Sequence, residues 1–269
     1  MAKQSIEAVR GILLNIGKGS TDTERARRTA LLKKLPPATR IASIVEAAGT
    51  DVELRRAAPL AIANVGGAGK AKALAAFLLD VDPRTRTNAA EVMFVYPDIA
   101  RKCVTELADL VKIELPRTRK VGALGPALAA LGAAQTPSAL DALNAIPPDA
   151  FKTVGLRGQW LEALSKYRSG KVKPILSPFL ASKLPKERGA AIIGLLRNGR
   201  SGLLSALRAE LDDSDFDAAR DAARRAHDAL GTKFIFNPSQ LASLKRWWDG
   251  PNDLAQRLQR LQSGPKPDT

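Results

Sequence analysis

Three features of the 269-residue sequence predict an all-α fold of about fourteen helices in seven antiparallel pairs. An arginine recurs in one register every 28 to 38 residues, aromatic residues are held to 4%, and Pro and Gly fall where helices begin and end. Scarce aromatics argue against a sandwich or barrel, whose strands favour β-branched and aromatic side chains. Abundant Ala, Leu and Arg favour helices that pack closely through small residues.

The repeat carries the most information. Segments 51–66, 82–93, 184–196 and 215–231 each carry a polar residue or proline in the first two positions, continue through an arginine and small residues, and run into a Leu/Ile/Val stripe. The arginines Arg27, Arg55, Arg86, Arg119, Arg157, Arg188 and Arg220 are separated by 28, 31, 33, 38, 31 and 32 residues, the period of a two-helix repeat. Shorter amphipathic segments lie between them: Thr39–Ala48, Lys70–Leu79, Asp98–Val111, Ser138–Ile146, Lys173–Ala181 and Leu203–Leu211. Pro37, Pro83, Pro137 and Pro185 mark helix starts, and Gly49, Gly66, Gly132 and Gly231 mark ends. The unit around Arg157 follows the longest spacing and is interrupted by Pro147, Pro148 and Gly158, so a distorted repeat is expected there.

The pairs Asp51 with Arg55 and Asp82 with Arg86, with weaker versions around Arg188 and Arg220, resemble the second-helix signature of HEAT repeats over residues 20–231. The resemblance implies a right-handed α-solenoid occupying residues 1–233. It further implies that the arginines Arg55, Arg86, Arg119, Arg188 and Arg220 form a structural ladder, bonding aspartates and helix ends between neighbouring units. The stretch from Ala229 to Asp249, with its Asn237-Pro238 turn and the pair Trp247 and Trp248, resembles the closing segment of bacterial HEAT-repeat proteins. Residues 234–269 are therefore expected to form a capping segment and tail, since an end unit needs a different outer face from an internal one.

Charge is the second organising feature. The formal net charge is +15, distributed as +6 over residues 1–40, −1 over 41–100, +1 over 101–150, +9 over 151–210 and 0 over 211–269. The basic stretch offers Lys166, Arg168, Lys171, Lys173, Lys183, Lys186, Arg197 and Arg200 as candidates for an anionic partner. The first four cluster around Gly170 in an expected turn. Only Trp160, Tyr167 and Phe179 supply aromatics nearby, which argues against single-strand recognition by base stacking.

Other motifs carry less. Residues 64–71 imitate a phosphate-binding loop, but Asn64 replaces its first glycine, Ala71 replaces its hydroxyl residue and a helix precedes it, so an inter-repeat turn is expected. Residues 17–21 fail similarly. One histidine, His227, and one cysteine, Cys103, provide no metal quartet and no internal disulfide. His227 lacks a visible nucleophile and orienting carboxylate, and Cys103 reads as a small buried hydrophobe. Asp212, Asp213, Asp215 and Asp217 lack the spacing and closing glutamate of a calcium loop. Trp247, Trp248 and Asp249 invite comparison with DNA-glycosylase relatives of HEAT proteins, but the cluster lies beyond the solenoid and matches no local motif.

No apolar stretch approaches the roughly 20 residues that span a bilayer, the richest being Val121–Ala134 with Pro126 inside it. The short run Ile12–Leu14 does not read as a signal peptide. The expectation is a cytoplasmic protein, not membrane-inserted and without a cofactor, acting as a non-enzymatic scaffold for another protein on the concave surface of its second helices. Nonspecific nucleic-acid binding through residues 151–208 is the competing expectation, and a glycosylase-like enzyme a distant third.

Overall fold

A computed structural model describes residues 2–17, 22–65, 67–117 and 122–200. Among these residues there are thirteen α-helices, three 3-10 turns and no strand. Arg119, Arg220, His227, the aspartates at 212–217, the helix expected over Leu203–Leu211, the boundary at 233/234 and the cap with Trp247 and Trp248 lie outside the described residues. The chain divides into two compact units, residues 1–156 and 157–269.

In the first unit, α1 (Ala2–Gly17) and α2 (Asp22–Leu32) precede the pairs α3 (Arg40–Ala48) with α4 (Val52–Asn64) and α5 (Lys70–Leu78) with α6 (Pro83–Val95). Helices α7 (Pro97–Lys102) and α8 (Val104–Glu114) follow, then α9 (Leu124–Ala134) and α10 (Pro137–Asn144). Sequential helices pack as pairs, and the pairs stack in two layers: α4, α6 and α9 in one, α3, α5, α8 and α10 in the other.

Local chemistry explains the boundaries. Asp51 caps α4 by accepting from the backbone N–H groups of Glu53 and Leu54 at 3.0 and 3.1 Å. Asp82 caps α6 through Thr85 N–H at 2.8 Å, with Pro83 at the first helical position. Thr136 caps α10 ahead of Pro137 in the same way. The core is assembled from apolar stripes at helical spacing, such as Leu54, Ala58, Ala61 and Ile62 of α4, all at 0% exposure.

One expectation is corrected in this unit. The segment Asp98–Val111 is not one helix: it breaks at Cys103, whose N–H turns back to Ala100 O while its Sγ donates to Ala71 O of α5 at 3.4 Å. Anchoring that side chain on the neighbouring helix separates α7 from α8. At the N-terminal end α1 packs along α4 and α2 lies mainly against α1. The reason is composition: α1 buries Val9, Leu13 and Ile16, while α2 (DTERARRTALL) is too charged for a central position.

The second unit takes over within α11 (Val154–Ser165), which follows a nine-residue connection containing the 3-10 turn Pro148–Ala150. After it come a 3-10 turn (Gly170–Val172), the short α12 (Lys173–Leu176), a second 3-10 turn (Ser177–Ala181) and α13 (Pro185–Arg197). The expected helix over Lys173–Ala181 is thus one α-turn continued as 3-10, with Pro174 and Pro178 removing the N–H groups that a longer α-helix would use. Trp160 is fully buried and meets Phe179 edge-on, with centroids 6.4 Å apart. At Gly194 an added Cβ would lie 2.4 Å from Leu176 Cδ1 and 3.0 Å from Ser165 Cα, so the absent side chain lets α13 close on α11 and α12.

Candidate functional site

The arginines tie each repeat to the next. Arg56, not Arg55, holds Asp82 in a two-pronged pair, Nε to Oδ2 at 3.0 Å and Nη2 to Oδ1 at 2.8 Å. That guanidinium, helped by the Thr85 backbone and hydroxyl, holds the Asp82 carboxyl well below the usual carboxylate range. Arg55 makes a looser contact, its Nε lying 3.4 Å from Asp80 Oδ2 without hydrogen-bond geometry. Arg86 donates to Glu114 through Nε and Nη2, and its Nη1 reaches the carbonyls of Asp80 and Val81 in the turn between α5 and α6. Arg117 adds a third donor to Glu114 Oε1 at 2.8 Å.

The aspartates Asp51 and Asp82 therefore do not serve the arginines four residues on. Asp51 caps its own helix, with Arg10 at 4.0 Å, and Asp82 serves the previous repeat. In the second unit Arg157 donates to Glu187 at 2.6 Å and lies over the Phe179 ring at 5.8 Å. Arg188 donates to Ser182 O of its own connection at 2.9 Å. The acceptors Glu114 and Glu187, 3% and 1% exposed, were not singled out by the sequence reading. Their only signal is a carboxylate 28 or 30 residues after an arginine.

The glycine-rich imitation of a phosphate loop is a turn between α4 and α5. Gly67 and Gly69 adopt φ of +141° and +84°, values that favour glycine, and Lys70 Nζ donates to Ala63 O at 2.8 Å. Lys70 is thereby committed to closing the end of α4; burial and the nearby Lys33 push its pKa down. Cys103 is buried beside a cavity of about 450 Å³ lined by Ala71, Lys72, Ala75, Lys102 and Glu106 among others. Burial, then the charge of Glu106, pushes its thiol up to about 11. No three His, Cys, Asp or Glu side chains converge as a metal site among the described residues. No described helix is long and apolar enough to cross a membrane.

The basic candidates separate onto two edges of the second unit. Arg197 Nη1 donates to Ser165 O at 3.2 Å and Asn198 Nδ2 to Tyr167 O at 2.9 Å, docking the C-terminal turn of α13 against that of α11. This brings Arg197 and Arg200 to the edge that carries Lys166 and Arg168, and Lys171 and Lys173 follow Arg168 by three and five residues, in the 3-10 turn and at the start of α12. Arg168, Lys171, Lys173 and Arg200 are exposed, and Lys166 and Arg197 are partly so. Lys183 and Lys186 instead sit at the N-terminal end of α13, where the Lys186 stem covers Gly158 of α11 at 3.4 Å. Lys171 lies in the 3-10 turn at the expected turn around Gly170, and Lys173 opens the short helix α12.

A third feature is a face on the first unit. Exposed and half-exposed residues of α4 (Glu53, Arg56, Leu60, Asn64), α6 (Arg84, Asn88, Glu91, Val95) and α9 (Pro126, Ala129, Ala133) recur at helical spacing. The opposite sides of these helices are buried against the other layer. Asn88 Nδ2 donates to Arg56 O at 2.8 Å, which fixes two of the stripes side by side.

The sequence matches no known protein-family model and no curated protein. Among solved structures, Escherichia coli YibA aligns over 96% of this chain and 95% of its own at 17% identity, with a TM-score of 0.50. The complex of CpcE and CpcF of phycocyanin lyase from Nostoc sp. aligns over 94% and 93% at 18% identity, with a TM-score of 0.44. An archaeal HEAT-like repeats protein from Thermococcus onnurineus aligns over 87% and 95% at 15% identity, with a TM-score of 0.38. Helices packed in sequential pairs give the described residues an all-α helical-repeat fold, which aligns with that of YibA.

Proposed function

We propose that the chain is a non-enzymatic binding scaffold that takes a protein partner on the exposed face of α4, α6 and α9. The observation that carries this reading is the alignment of the three stripes. Layered repeats bury one side of each helix and leave the other free, so adjacent helices build a surface wider than any one of them. The α4 and α6 stripes mix charged and polar groups (Glu53, Arg56, Arg84, Glu91) with Leu60 and Val95, and the α9 stripe is uncharged. That combination suits a protein surface, whose interfaces join an apolar centre to a polar rim.

Site-specific photo-crosslinking in cells tests it. A photoreactive residue at Asn64, Glu91 or Ala133 should yield a covalent adduct with a protein. The same residue at Lys72 or Lys112, exposed on the other layer, should not. Adducts from the second set alone, or from neither, would refute the proposal.

A further inference from the structure

We infer that the edge of the second unit formed by Lys166, Arg168, Lys171, Lys173, Arg197 and Arg200 binds the phosphate backbone of double-stranded DNA. The inference is independent of the protein-binding face on the first unit. Residues 157–200 contain ten Lys and Arg against two acidic residues. One of those, Glu187, is buried and engaged by Arg157 and by Ser182 Oγ, which leaves Glu162, one turn before Lys166, as the other carboxylate of the segment.

The edge is held in place by its own hydrogen bonds. Arg197 and Asn198 bond the last carbonyls around the end of α11. Gly199, at φ of +88°, turns the chain so that Arg200 N–H reaches back to Leu195 O at 3.0 Å, the closing bond of a helix C-cap that sets Arg200 over the end of α13. Ser169 fixes the next turn by accepting from Lys171 N–H at 3.3 Å.

The kind of polyanion follows from what accompanies the charges. Tyr167 and Trp160 are buried and the half-exposed Phe179 is engaged by Trp160 and Arg157, toward the N-terminal end of α11, so among the described residues no aromatic side chain at this edge offers the stacking platform that single strands use. Among the described residues around the cations lie Ser169, Gly170, Pro174, Asn198 and Gly199, and the half-exposed Ile175 alone offers little to anchor a peptide. Double-stranded RNA is recognised largely through its 2′-hydroxyls as well as phosphates, which calls for polar side chains more than point charges. Duplex DNA, with a charge every ~1.7 Å of axis, needs only spaced cations. Without a helix or ribbon to enter the major groove, binding is sequence-independent.

Titration of the full chain against a 20-base-pair DNA of mixed sequence between 50 and 200 mM salt tests this. Four exposed cations predict a slope of log K against log salt of about −3.6. Two variants that remove the same net charge separate the edge from overall charge. Replacing Arg168, Lys171, Lys173 and Arg200 by Gln should weaken binding at least tenfold and remove most of the slope. Lys183→Glu with Lys186→Glu should remain within twofold of wild type. Should the quadruple variant fold poorly by circular dichroism, Lys171→Gln alone, on an exposed 3-10 turn, should lower the slope by about 1. Equal losses in the two charge-matched variants, no binding by the wild type, or equally tight binding of duplex RNA or polyglutamate would overturn the assignment.

Discussion

Both Nε and Nη2 of Arg86 donate to one oxygen of Glu114, at 2.9 and 2.6 Å, and neither side chain is more than 5% exposed. Truncating one partner of a buried pair costs about 3 to 5 kcal/mol when the other charge is left uncompensated, and without Arg86 the buried Glu114 keeps only the more exposed Arg117 as a cation, so the loss should approach the lower end of that range. Arg86→Ala should therefore lower the melting temperature far more than Arg55→Ala, because Arg55 meets Asp80 without hydrogen-bond geometry and is 18% exposed. Thermal unfolding of the two variants decides it. Equal losses would place both arginines in one class.

Asp82 makes part of the stability acid-sensitive. Its carboxyl titrates below the normal range in the folded chain, so the contribution is complete above the unfolded value near 3.9 and is lost as pH falls toward the folded one. Asp82→Asn should be less stable than wild type at pH 7, and the gap should narrow below pH 4. A gap that stays constant through that window would remove the Arg56 pairing as its cause.

Cys103 should be nearly inert in the folded protein. With its thiol pushed up to about 11, its thiolate population at pH 8 is roughly a hundredfold or more below that of a free cysteine, and burial blocks access as well. Maleimide labelling should be slow in buffer and rapid in denaturant. Fast labelling of the folded chain would show that the α5–α7 contact opens.

Two glycine substitutions should move stability in opposite directions. Gly194→Ala forces a Cβ against Leu176 and the Ser165 backbone and should destabilise by about 1 to 3 kcal/mol. Gly155→Ala, in α11 with nothing within 4 Å of the added atom, should stabilise by about 0.5 to 1 kcal/mol. Chemical denaturation of each variant measures both signs.

The repeat period and much of the helix punctuation were legible because they are properties of neighbouring residues, although Gly132, expected at a helix end, lies inside α9. Asp51, Asp82 and Pro83 act within their own helix, and α3, α5 and α10 begin within a residue of the expected positions. What the sequence did not disclose was which arginine meets which acid. Arg55 and Arg56 are adjacent, and a rotation of about 100° along the helix decides which one faces the next repeat. Glu114 and Glu187 look like ordinary helix-end charges until packing buries them. The basic residues likewise form one run in sequence yet lie on two edges, because α12 and its flanking turns reverse the chain between them.

The ion pairs between successive units share a sense of direction. Arg55 to Asp80, Arg56 to Asp82, Arg86 to Glu114 and Arg157 to Glu187 all run from a cation to an anion 25 to 30 residues later. Each unit so linked carries a plug on one side and a socket on the other. A gene segment copied in tandem would arrive with both fittings already matched, so arrays of this type can lengthen by duplication without a new interface having to be invented.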